Sequence, residues 1–132
     1  MSTIKEDQIK DISIRLKEYL ENDQNVYFGF IFGSFVRRRL NQHSDIDVAI
    51  YFKLPPEGLN LLKLINTLSE YIRKDVDLIV LNRASAFLRH QVMKYGIPLA
   101  IKDRVGYQRF REKTISDFEE YKFVSGMDLY DR

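Results

Sequence analysis

Two aspartates, Asp45 and Asp47, open the apolar run "DIDVAIYF" at residues 45–52, and a Gly-Ser pair, Gly33-Ser34, closes the earlier run "VYFGFIF". Alternation along a strand puts Asp45 and Asp47 on one face and Ile46 and Val48 on the other. Carboxylates placed that close disfavour each other's ionisation unless a cation lies between them. A hard divalent ion such as Mg2+ suits all-oxygen ligands and leaves room for substrate phosphates. The competing reading is a pair of solvated carboxylates beside a loop.

The Gly-Ser pair tips the balance towards chemistry. A glycine at a strand end lets another group approach the backbone. A serine that starts a helical turn offers its hydroxyl and unpaired N–H groups to an anion, phosphate above all. Phosphate site and metal site can meet in space, and the ligand bridging them would be a nucleoside triphosphate bound with Mg2+. A third acid, Asp77 in "KDVDLIVL", can project to the same side. Three carboxylates are what a two-metal phosphoryl-transfer site uses. Asp75 is the rival for third acid, but it stands at the entrance of the apolar run, where a turn or capping role suits it. Asp77 stands inside the run.

Elements that hold such residues can be read from periodicity. Ile9, Ile12, Leu16, Tyr19 and Leu20 recur at helical spacing after a capping Thr3, and "NDQN" then turns the chain into the first strand. A short helical turn over "SFVRRRL", a polar loop over "NQHS" and the second strand follow. Leu61, Leu64, Ile65, Leu68 and Ile72 mark a helix from Glu57 to about Arg73, and "VDLIVL" is a third strand. A helix from Ala84 to about Tyr95 stops at Gly96. "IPLAI" is a fourth strand whose Pro98 suits an edge. A charged helix from Asp103 to about Val124 ends the pattern. Strands alternating with helices predict an α/β domain with a small, largely parallel or mixed sheet flanked by helices.

Bulk properties agree with one domain spanning 1–132. The chain has 132 residues, 45% of them hydrophobic and 30% charged, with 21 basic and 19 acidic residues and a net charge of +2. That balance argues against gripping nucleic acid by bulk charge. With no cysteine, thiolate zinc sites and disulfides are excluded. The amino terminus has no apolar signal core and nothing approaches the length of a membrane span, so a cytoplasmic protein is expected. His43 and His90 are far apart in sequence, so a histidine metal site is not supported. No Walker-type loop or Gly-x-Gly-x-x-Gly occurs. Arg37, Arg38 and Arg39 follow the Gly-Ser turn, and Arg37 is the candidate for neutralising phosphate charge; a solvated helix face is the alternative.

Gly33-Ser34, ten residues, Asp45-Ile46-Asp47 and a later strand acid at Asp77 resemble the signature of the DNA polymerase beta-like nucleotidyltransferases. The short chain resembles their minimal (MNT) branch. The resemblance implies a mixed sheet flanked by helices, Gly33 and Ser34 on the phosphates of ATP, and Asp45, Asp47 and Asp77 as metal ligands and catalytic acids. It implies attack on the α-phosphorus with pyrophosphate leaving. One departure is that "GSFVRRR" has Val36 and Arg38 where family members often carry Ala and Gly. A chain this small has to borrow its acceptor from elsewhere. This resembles the MNT antitoxins, which transfer AMP to a tyrosine of a HEPN-domain ribonuclease toxin. The expectation is therefore a Mg2+- and ATP-dependent antitoxin in a hetero-oligomer with a HEPN toxin. A non-catalytic antitoxin acting by binding, and a transferase acting on a small molecule or RNA, are the alternatives.

Overall fold

The computed structural model describes residues 6–33 and 45–126. The order of elements is α1 (Glu6–Asn22), β1 (Val26–Phe32), β2 (Ile46–Phe52), α2 (Gly58–Ile72), β3 (Val76–Val80), a 3-10 turn (Leu81–Arg83), α3 (Ala86–Tyr95), β4 (Ile97–Ile101) and α4 (Arg104–Ser125). The strands form one mixed sheet in the order β3-β2-β1-β4. β1 runs antiparallel to both β2 and β4, and β2–β3 is the parallel pair, bridged by α2 as a crossover helix. The expected fold class is therefore found, with the sheet mixed rather than largely parallel. Capping signs and breakers set the helix boundaries. Ser85 accepts the Leu88 N–H and Asp103 accepts the Gly106 N–H, while Arg73 ends α2 with φ 59°. The third strand is shorter than the apolar run suggested, because Leu81 turns into the 3-10 segment and is buried there. The expected Thr3 cap and the helical turn after Gly33 lie outside the described residues.

Two cores follow from strand alternation. On one face Ile31, Ile46, Val48, Ile50 and Val76 pack beneath α1 and α2, together with Leu16, Leu20, Leu68 and Ile72 from those helices. On the other face Phe28, Phe30 and Ala49 meet Leu81, Val92 and Phe110 beneath α3 and α4. Each fully buried Leu, Ile or Phe contributes about 1.5–3 kcal/mol of burial free energy. Gly29 lets α1 sit close to the sheet: a Cβ there would stand 2.7 Å from Leu20 Cδ1 and 3.3 Å from the Ala49 carbonyl oxygen. β4 occupies the edge beyond β1, as its Pro98 suggested.

The last helix uses its apolar residues unevenly. Phe110 and Phe118 are buried, whereas Ile115 and Phe123 are exposed. A polar clamp joins α3 to α4. Arg89 donates from Nη2 to Asp117 Oδ2 at 2.9 Å, from Nη1 to Thr114 Oγ1 at 3.4 Å and from Nε to the Ala84 carbonyl at 3.1 Å. Thr114 is fully buried, so that clamp also satisfies its hydroxyl. Among the described residues no helix is long and apolar enough to cross a membrane.

Candidate active site

Register brings the acids together. Asp47 and Asp77 are Cα partners across the parallel β2–β3 pair, and Phe32 is the partner of Asp47 across β1–β2. Their strand neighbours Ile46, Val48, Val76 and Leu78 all belong to the core under α1 and α2. Asp47 and Asp77 therefore share the opposite face, the one that carries α3 and α4. Both lie where β2 and β3 begin and β1 ends, so the acids gather at one end of the sheet. The backbone anchors this end. Ile46 donates its N–H to the Asp75 carbonyl at 2.8 Å, which ties the entrance of β2 to the residue just before β3.

The two rivals for third acid occupy different places at this end. Asp75 holds the strand entrance through its main chain, while Asp77 stands directly beside Asp47. Asp45 precedes β2 and is exposed, Asp47 is partly buried, and Asp77 is exposed.

Gly33 follows the last residue of β1 with φ +75°, a left-handed conformation that favours glycine. A Cβ at this position would overlap Asp47 Oδ2 and lie 2.9 Å from its Cγ. The turn at Gly33 therefore lies against the Asp47 carboxylate. Sequence reasoning placed Gly33 near phosphate and did not anticipate this contact. The signal was available in principle, because a glycine closing a strand marks a backbone that something must approach closely. Ser34 and Arg37, the other two nucleotide-binding candidates, lie outside the described residues, as does His43.

The donors at this end are hard carboxylate oxygens, the set that Mg2+ takes. Among the described residues, no three His, Cys, Asp or Glu side chains converge as a ready-made metal cluster. Asp47 and Asp77 are the pair that register holds side by side, with Asp45 two residues before Asp47 on the same alternation. These residues fit a hard cation that draws further ligands from a nucleotide's phosphates. They do not form a closed all-protein cage.

The family profile described as "Polymerase beta, Nucleotidyltransferase" matches residues 15–105. This chain belongs to that family. Among relatives of the nucleotidyltransferase are two proteins of Methanocaldococcus jannaschii named as candidate protein adenylyltransferases. One is 36% identical over 80 residues, spanning 61% of this chain and 80% of its own length. The other is 38% identical over 82 residues, spanning 62% and 82%. The fold matches almost end to end with chains from solved toxin–antitoxin complexes. A toxin–antitoxin bound to AMP-PNP superposes with a TM-score of 0.73 at 24% identity, over 97% of this chain and 98% of that one. A tri-AMPylated HEPN toxin with its MNT antitoxin, from Shewanella oneidensis, gives 0.73 at 23% identity over 93% and 97%. A mutant toxin–antitoxin gives 0.70 at 26% identity over 97% of each chain. The four-stranded mixed sheet and its flanking helices are thus those of the polymerase beta-like fold.

Proposed function

We propose that this nucleotidyltransferase is the antitoxin of a HEPN/MNT pair and transfers AMP from ATP to a tyrosine of its HEPN ribonuclease partner, silencing the ribonuclease. The observation that carries the reading is the in-register pair Asp47–Asp77, with the left-handed turn at Gly33 seated on the Asp47 carboxylate. Support comes also from the adenylyltransferase names of the archaeal relatives and from the near-complete overlap with chains of HEPN/MNT complexes.

In this reading Gly33 and Ser34 contact the triphosphate, and Arg37 balances the charge that builds on the departing pyrophosphate. Asp45 and Asp47 would hold Mg2+, with Asp77 as further ligand, and the ion would supply neutralisation of phosphate charge when bound. Asp77 takes the proton from the tyrosine hydroxyl. The phenolic oxygen forms a bond to the α-phosphorus, the bond from that phosphorus to the bridging oxygen of the β-phosphate breaks, and pyrophosphate leaves. The small chain supplies the donor half of the site and the partner supplies the acceptor. A cytoplasmic setting, where ATP is at hand, belongs to the same reading.

Label transfer tests this. The protein, a HEPN-domain partner, Mg2+ and ATP labelled at either the α or the γ position are incubated together. Label on the partner from the α position alone, abolished by Asp45→Asn/Asp47→Asn, is the expected result. A tight complex without label from either position, and protection of cells from the toxin by the double variant, would overturn it in favour of neutralisation by binding.

A further inference from the structure

The face of the sheet that carries the acids at one end carries a concavity at the other. It has a volume of about 400 Å³, within the range of small-molecule sites. Tyr27 and Tyr51 form its floor with Phe110, and Arg89, Arg109 and Lys113 stand around it. Its position is fixed by register. Tyr51 is four residues beyond Asp47 on β2, roughly 13 Å along the strand, and it pairs with Phe28 near the start of β1. Phe30 and Ala49 fill the core between the two ends. This concavity is thus separate from the acids.

Its floor is built for flat rings. A register shift between Val26 and Phe28 puts Tyr27 and Phe28 both into the core cluster under α3 and α4. Tyr51 stacks on Phe28 with centroids 4.9 Å apart and planes at 11°, and Tyr27 lies 6.4 Å from Tyr51 with planes at 21°. Tyr27 and Tyr51 are partly exposed and both line the concavity.

The charges are not equivalent. Arg89 is committed to Asp117, Thr114 and the Ala84 carbonyl, and Lys113 pairs with Asp117 at 3.2 Å. The Asp103 carboxylate accepts the Gly106 N–H and so closes the start of α4. Arg109 has no ion pair or hydrogen bond among the described residues, although it borders the concavity on the exposed side of α4. An uncommitted guanidinium beside partly exposed, near-parallel tyrosines suits a ligand with an anionic group at one end and a flat ring at the other.

We infer that the concavity between the 3-10 turn, α3 and α4 is a second binding site, for a small anion carrying a flat ring, of the nucleoside monophosphate class. Arg109 takes the phosphate and the Tyr27–Tyr51 floor takes the ring. The inference does not depend on the reaction proposed for the acid end.

Amide-resolved NMR titration of the full chain with AMP, in excess chelator so that no divalent ion recruits nucleotide to the acids, tests it. Saturable shifts should cluster at Asn82, Gly106, Arg109 and Phe110. Arg109→Glu should weaken the binding at least about tenfold, and Arg109→Lys should keep most of it. Tyr51→Leu, which keeps an apolar filling, should weaken it as well. Should Tyr51→Leu fail to fold, Arg109→Glu alone decides, since that side chain makes no contact on which the fold relies. Shifts confined to Gly33, Asp47 and Asp77, indifference to Arg109→Glu, or absence of saturation would overturn the site. Equal binding of inorganic phosphate would overturn the role of the rings, and equal binding of adenosine that of Arg109.

Discussion

Replacing Gly33 by alanine perturbs the acid end without replacing an acid. Two penalties can be worked from the structure. The first is backbone strain: Gly33 sits at φ +75°, and a residue with a Cβ in the left-handed region costs about 1–2 kcal/mol. The second is steric, because the new Cβ overlaps Asp47 Oδ2 and sits 2.9 Å from Cγ. The carboxylate must rotate away or the turn must open, and both move Asp47 relative to Asp77. A misplacement of about 1 Å costs on the order of 10²-fold in a reaction that depends on positioning. Gly33→Ala should therefore lower the melting temperature by several degrees and lower nucleotidyl transfer far more than that loss of stability explains.

A double-mutant cycle separates the two penalties. With Asp47→Ala as background the carboxylate is gone, so Gly33→Ala should cost the strain alone. The coupling between the two positions should reach about 0.5 kcal/mol or more, the range seen for residues in contact. Urea melts of the four proteins measure it. Additivity within about 0.3 kcal/mol would refute the claim that the turn bears on the Asp47 carboxylate.

Three further outcomes follow from particular contacts. Asp77→Asn should reduce nucleotidyl transfer by at least about 10²-fold, whereas Asp75→Asn should leave most of it, because Asp77 and not Asp75 is the Cα partner of Asp47; label transfer with the two variants side by side checks this. Arg89→Met should cost about 1–3 kcal/mol in denaturant melts, since the buried Thr114 hydroxyl and Asp117 lose their partner. His90 stacks on Phe118 at 3.7 Å, and burial, then Lys94 and Lys122, push its pKa below 6.5 against an opposing pull from Glu119. Because the folded state binds that proton less readily than the unfolded one, stability is complete above pH 6.5 and falls as the pH drops towards the lowered folded value. Thermal melts from pH 8 to pH 5 should show the decline, and His90→Phe should flatten it.

Much of this was legible in the residues, and the physical reasons for what was and was not are specific. Strict alternation in "DIDVAIYF" required Asp47 to leave the core that Ile46 and Val48 enter, and the structure places it so. The end of α3 was legible because Gly96 marked it, whereas its start was read at Ala84, ahead of the Ser85 side chain that caps it. Strand order was not legible, because periodicity says which face a residue takes and nothing about which strand lies beside it. The neighbour relation of Asp47 and Asp77 depends on that order. Length misled at Leu81: an apolar run looks the same whether its last residue continues the strand or turns under it. The Arg89 clamp went unnoticed because an arginine on a charged helix carries no mark of burial, and its three acceptors come from two separate segments.

The sheet order also explains why so small a domain can assemble a site at all. β2 has β1 on one side and β3 on the other. Any residue at its start is therefore flanked by the end of an antiparallel neighbour and the start of a parallel one. The first neighbour contributes a turn that leaves the sheet, at Gly33; the second contributes an in-register side chain, at Asp77. An edge strand would offer one neighbour or the other. A fully antiparallel arrangement would set the end of β3 beside Asp47 and move Asp77 to the opposite end of the sheet. The parallel step through α2 is thus what converts acids separated by 30 positions in sequence into adjacent side chains.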